Sequence, residues 1–306
     1  MNFEAMRRAV RVKGLTSASV IPEASSGRLE EACIRPARLT EGQVLRTIPV
    51  GVPEAWPDSV AYLDGIQRSE IIGYAGSAPL FAAELAAAVR ERRDRRLHTV
   101  VEARRTVVLA RPSALAAVGG ALGPPAEAIP LPDSEPAHPL RDYMNAGEAL
   151  DQERGALEIV VGHRYRNGSN GWLVVDGTLS VSPGWAEDPR MVAISKSHSI
   201  LPFEGADLEQ YLRLPCGHRS SVFAPATRTV APVRAWGLRL WPWDGKDLLY
   251  GLVRVEVAPC NGSTEQADAI SRWIMADRAP VSAPDRRWDR LLYGMYSVEQ
   301  YLKARA

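Results

Sequence analysis

Two aspartates hold the chemistry this sequence does most readily. Each closes a short apolar run and precedes a glycine: Ser59-Val-Ala-Tyr-Leu-Asp64-Gly65 and Trp172-Leu-Val-Val-Asp176-Gly177. Runs of this kind read as buried strands, and the glycine lets the backbone turn behind the carboxylate. Carboxylates at strand ends suit a hard divalent cation held against a phosphate, since such ions take oxygen ligands. Asp-Gly is also a good turn pair with no chemistry attached. Two copies with an acidic helix between them favour a site. That helix, Arg141 to Leu157, carries Glu148 and Asp151 on one face and Glu153 close by. Lys196 ends a third apolar run, Met191-Val-Ala-Ile-Ser, where it is either a point charge for a phosphate or a surface lysine.

Other elements must position these groups. Val44 to Pro57 is punctuated by Pro49, Pro53 and Pro57 and reads as an extended lead-in. Ile66 to Tyr74 reads as the second arm of a hairpin. Ala78 to Arg90 is alanine-rich and reads as a helix, running into the basic stretch Arg90-Glu-Arg-Arg-Asp-Arg-Arg96. That stretch is a charged helix end or a ridge facing DNA. Residues 119–139 are rich in proline and glycine and read as a surface loop. Segments 230–240 and 248–257 read as paired strands around a turn with Trp241 and Trp243. Ala267 to Ala276 and Arg287 to Ala304 read as helices. The second has an apolar stripe of Trp288, Leu291, Leu292, Met295 and Leu302.

Composition narrows the class. The 306 residues are 46% hydrophobic, enough for a sizeable core. Against 37 basic residues stand 36 acidic ones, so any basic surface is local. Cys33, Cys216 and Cys260 are odd in number and far apart, which gives no disulfide framework and suits a reducing compartment. Neither a secretory signal nor a membrane span is expected, and the expected location is cytoplasmic.

The order of these parts resembles the NurA nuclease family. Val60-Ala-Tyr-Leu-Asp64-Gly65 is similar to its first Asp-Gly strand. The helix with Arg141 and Glu148 is similar to its Arg-and-Glu helix. Leu173-Val-Val-Asp176-Gly177-Thr-Leu, Val192-Ala-Ile-Ser-Lys196-Ser, Trp236-Gly-Leu-Arg239-Leu and Val253-Arg-Val-Glu256-Val are similar to its later strands. The resemblance implies an α/β, RNase H-like mixed sheet flanked by helices. Residues 1–57 would be an N-terminal extension and 58–306 the nuclease domain, closing on a C-terminal helix. It also implies a DNA-end-processing nuclease, a homodimer, working with a HerA-type hexameric ATPase. The family's late histidine has no counterpart, and Tyr293 stands nearest its place. A loop at 162–171 lengthens the gap from Glu148 to Asp176, which makes Glu153 a competitor for the glutamate role.

On this reading Asp64 bridges two ions, manganese or magnesium, while Asp176 and Glu148 each hold one. Lys196 meets the scissile phosphate. Arg239, Arg254 and Trp241 are the expected DNA contacts, by charge and by stacking, with cross-strand pairing and hairpin packing as their ordinary alternatives. The competing class is an adaptor with a decayed site, seated as a dimer on an ATPase ring.

Overall fold

The computed structural model describes residues 4–14, 33–123, 126–133, 138–226, 231–243, 248–280 and 288–305. Its centre is a meander of three long antiparallel strands, β4 (Val60–Ala75), β5 (Ala78–Arg93) and β6 (Arg96–Ala110). The long helix α3 (Pro139–Arg166) then crosses over to β8 (Trp172–Asp176), which lies parallel to β4. Strand β9 (Met191–Ser195) lies parallel to β8. On β9 follow, antiparallel, β14 (Leu252–Val257) and β13 (Arg234–Arg239).

Short strands complete a twelve-stranded mixed sheet: β2 (Arg38–Leu39), β3 (Thr47–Pro49), β7 (Glu127–Pro130), β11 (His218–Ser220) and β12 (Phe223–Ala224). A separate parallel ladder joins β1 (Cys33–Ile34) to β10 (Ile200–Leu201). Helices α1 (Glu4–Val12), α2 (Pro112–Val118), α4 (Pro183–Glu187), α5 (Gly205–Leu212), α6 (Thr264–Asp277) and α7 (Tyr293–Lys303) cover the faces.

Because side chains alternate along a strand, each face of the sheet has its own core. Ala61, Leu63, Leu85 and Ala87 pack with Leu150, Leu157 and Val161 of α3. Tyr62, Ala86, Ala88 and Val174 pack with Ile270 and Ile274 of α6 and with Met295, Val298 and Leu302 of α7.

Several expectations fail here. Ile66 to Tyr74 continues β4 without turning, so the hairpin bends later, at Gly76 with φ 60°. The alanine-rich segment is a strand, β5. It is flanked by β4 and β6 and buried along its first twelve positions, and α3 lies across it. Helix propensity is a weak prior beside pairing on both edges, and small side chains let the covering helices come close. The basic stretch Arg90 to Arg96 is the end of β5, a two-residue turn and the first residue of β6. Asp94 and Arg95 there have φ of 49° and 61°, the left-handed pair that a two-residue hairpin requires. The loop expected at 162–171 starts only after Arg166, where α3 ends. Within the stretch at 119–139, β7 adds an edge strand parallel to β6. The tip of the late hairpin, 244–247, and the segment 281–287 lie outside the described residues.

Candidate functional site

The register of β4 and β8 pairs Leu63 with Val175, so the next residues on the two strands, Asp64 and Asp176, stand side by side. Adjacent strands run about 4.8 Å apart, which brings the two carboxylates to one place on the sheet. Asp64 shares a face with Tyr62, the α7 side, and is only 8% exposed. Its one hydrogen bond among the described residues comes from the Gly65 N–H to Oδ1, at 2.8 Å. The other carboxylate oxygen accepts from no donor among the described residues. Behind Asp176 the chain turns at Gly177, whose φ of 111° favours glycine. That turn is anchored by Glu256, which accepts from the Thr178 hydroxyl and, at 3.1 Å, from the Leu179 N–H.

A third carboxylate arrives from the other face of the sheet. Glu158 of α3 lies where a Cβ of residue 65 would project, so glycine there leaves the space that the carboxylate fills. Gly65 is therefore needed for room, and the chain does not turn there. Arg154, one helical turn earlier, donates to Glu158 Oε1 at 2.6 Å and to Gln67 Oε1 at 3.2 Å. Gln67 in turn donates to Asp151 at 3.0 Å, so Arg154 and Glu158 are fixed against β4.

These groups feel one another. Burial pushes the Asp64 carboxyl well above its usual range. The Asp176 carboxylate adds to this, Lys196 opposes it, and Glu158 and Glu299 add further. Burial also raises Glu158, against the pull of Arg154 and with a push from Asp176. Lys196 Nζ sits 2.5 Å from Asp176 Oδ2. The donors are all hard oxygens and one Asp64 oxygen receives no hydrogen bond among the described residues, which fits a divalent cation in type and charge. Two of the three carboxylates are already neutralised by Lys196 and Arg154. No three acidic, histidine or cysteine side chains among the described residues stand close enough to hold an ion.

The structure brings Asp64, Asp176 and Lys196 together and leaves other expected members apart. Glu148 is exposed on α3, ten residues and about 15 Å along the axis from Glu158. Arg141 is exposed two turns earlier on the same helix, and the arginine and glutamate facing the site are Arg154 and Glu158. Glu153 is bound to Arg105 at 2.6 Å. Tyr293 is 54% exposed on the first turn of α7. Arg239 is wholly buried and donates to the carbonyls of Leu212, Leu214, Leu248 and Tyr250, which leaves nothing for a phosphate. Arg254 is half-buried with Nε on Glu256 at 3.1 Å. Trp241 is packed edge-on to Trp288 at 5.3 Å, with Arg278 4.1 Å above its ring. Sequence reasoning missed Glu158, Arg154 and Glu299. The local signal was the i, i+4 spacing of Arg154 and Glu158 on one helix face.

A cleft of about 700 Å³ lies at the opposite ends of the same strands, lined by Ser59, Arg164, Gly171 and Arg190 among others. It shares no residue with the carboxylate site, whose geometry comes from the strand register instead. None of the described helices is long and apolar enough to cross a membrane.

No protein-family model and no curated protein matches the chain. Solved structures do match its fold. Among them, the NurA nuclease from Sulfolobus solfataricus superposes with a TM-score of 0.51 over 82% of this chain and 80% of that one, at 9% identity. The likeness read from the two Asp-Gly strands thus extends over most of the molecule, and the chain is similar in fold to that NurA nuclease.

Proposed function

We propose that this chain is a metal-dependent deoxyribonuclease that hydrolyses phosphodiester bonds beside Asp64, within β4, and Asp176, at the end of β8. One observation carries the reading: the buried Asp64, whose carboxylate accepts only from the Gly65 N–H among the described residues, stands beside Asp176 and near Glu158 in a fold similar to that of a nuclease. The RNase H-like reading is supported by the topology, an antiparallel meander β6-β5-β4 extended by the parallel strands β8 and β9. Drawn closer together than they stand here, Asp64, Asp176 and Glu158 would hold manganese or magnesium, which would supply Lewis-acid stabilisation of the phosphate and an activated water. The residues themselves do the positioning. Arg154 keeps Glu158 over Gly65. Glu256 holds the turn behind Asp176. Lys196, already against Asp176, offers its ammonium to a phosphate oxygen. A homodimer working on DNA ends with a HerA-type hexameric ATPase completes the proposal, from the family resemblance.

The adaptor reading also has an observation in its favour, the ion pairs that already neutralise Asp176 and Glu158. Cleavage of end-labelled single- and double-stranded DNA with manganese, magnesium or EDTA separates the two. Asp64→Ala, Asp176→Ala and Glu158→Gln should each lower metal-dependent cleavage about a hundredfold or more, while Glu148→Gln should leave it unchanged. Undiminished cleavage by Asp64→Ala would sink the site. A wild-type protein inert in every metal, with and without such an ATPase, would leave the adaptor.

A further inference from the structure

We infer that the tip of the β5–β6 hairpin, with the cleft beside it, is a separate nucleic-acid contact that grips the sugar-phosphate backbone through Arg95, Arg96 and Arg164. It rests on the nuclease reading only for the choice of DNA as the polyanion. Of the basic stretch at 90–96, Arg90 and Arg92 point into the molecule, Arg90 to the carbonyls of Ser297 and Leu97 and Arg92 to Asp277. Arg93, Arg95 and Arg96 are exposed at the tip. Arg93 keeps an ion pair with Glu91, at 2.7 Å. The side chains of Arg95 and Arg96 make no ion pair and no hydrogen bond among the described residues.

The tip carries these arginines against its own local preferences. Arg93 and Arg96 stand directly opposite each other in the hairpin register, where like charges repel. Arg95, with φ of 61°, holds the second left-handed position of the turn, the place that glycine fills most easily. Local choices that oppose the fold collect at functional sites. The cleft is a second, independent observation. Its volume is about 700 Å³, and three arginines, Arg93, Arg164 and Arg190, line it against two carboxylates, Asp58 and Glu91. Both carboxylates are paired, Asp58 with Arg190 and Glu91 with Arg93. Arg164, in the last turn of α3, is exposed, and its side chain has no partner among the described residues. Its neighbour Arg166 has the ordinary structural role of such a residue, donating to Asp188 and to the Gly171 carbonyl. Unpaired guanidinium groups spread over a hairpin tip and the wall of its cleft suit a chain of phosphates better than one small anion. Arg93 lies five residues along β5 from Ala88, the partner of Asp64, which is about 17 Å and places it on the other face of the sheet. The grip therefore acts on binding and not on the cleaved bond.

Binding of fluorescent single- and double-stranded DNA oligomers to the full chain, followed by anisotropy in EDTA, tests this without cleavage. A neutral variant combines Arg95→Gly, Arg96→Gln and Arg164→Gln, and a charge-keeping variant has lysine at all three positions. The expected result is affinity about tenfold or more lower in the neutral variant. Its slope of log affinity against log salt should be shallower by about two to three on the duplex, while the lysine variant stays near wild type. Thermal melts should find the neutral variant at least as stable as wild type, since glycine suits the turn and the repulsion opposite Arg93 is gone. Unchanged affinity and salt slope in the neutral variant, or an equal loss in the lysine variant, would overturn the inference. So would a wild-type protein that binds neither DNA. A wild-type dimer in sedimentation that the neutral variant loses would also overturn it, by making the tip a contact between two copies. Cleavage by wild type and by Asp64→Ala reads the nuclease proposal separately, so either can fail alone.

Discussion

Gly65 decides more at the residue scale than either of its neighbours reveals. It follows Asp64, and its missing side chain makes the space in which Glu158 crosses from the α3 face. Replacing it with alanine would leave β4 paired with β5 and would displace Glu158. The expected outcome for Gly65→Ala is a stability loss of about 1–3 kcal/mol, since overpacking forces neighbours off their rotamers. Metal-dependent cleavage should fall about tenfold or more, because small displacements of a reacting group are costly. Denaturant titration and a cleavage assay measure the two effects separately. Arg239 teaches the opposite lesson. An arginine on a strand looks like a phosphate contact until its environment is known. Here four carbonyl acceptors and complete burial give it a structural task.

Between elements, one buried acid ties three segments together. Asp277 ends α6 and accepts from Trp56 Nε1 at 2.8 Å, from the Tyr62 hydroxyl of β4, and from Arg92 of β5 at 2.8 Å. The basic stretch at 90–96 is thereby partly turned inward. Arg92 belongs to this cluster, and Arg90 lies over Tyr301 of α7 while donating to the carbonyls of Ser297 and Leu97. Truncation of Asp277 strips three donors of their acceptor and leaves a guanidinium unpaired. Asp277→Ala should therefore cost about 3–5 kcal/mol, read as a lower denaturation midpoint with an unchanged slope. Tyr62→Phe removes one of the three donors and should cost only about 1 kcal/mol.

Over the whole molecule, His198 and Glu41 weaken the fold as pH falls, while the raised carboxyls of Asp64 and Glu158 act the other way. Burial holds His198 at a pKa of about 4, outweighing the help of its hydrogen bond to the Leu252 carbonyl. An unfolded histidine takes up its proton near pH 6.5, so between about 6.5 and 4 the unfolded chain binds more protons and stability falls as pH falls. Glu41 adds to the same trend at lower pH. Burial pushes its carboxyl up, but the hydrogen bonds from Arg219, Val222 and Thr264 together with the Arg219 charge bring it below the usual value. Its contribution is present above the unfolded pKa and is lost as pH falls through the folded one. Unfolding measured from pH 7 to pH 4 should lose about 1–3 kcal/mol through His198, and His198→Gln should flatten that part of the profile. A profile equally steep in the variant would assign the loss elsewhere.

What the sequence determined by itself was local. Apolar runs ending in Asp64 and Asp176, the run ending at Lys196, the paired strands around 234–257 and the helices α6 and α7 were all legible, because each is marked by its own periodicity and punctuation. The tertiary structure alone decided which residues meet. Alanine-rich β5 became a strand because its two edges and both its faces were already claimed. The carboxylate of α3 nearest Asp64 is Glu158 and not Glu148, because the register of a 28-residue helix against β4 is set by its buried face. Glu299 was visible only as a charge inside an apolar stripe. Its neighbour across the core is fixed by packing, and packing is a property of the whole chain.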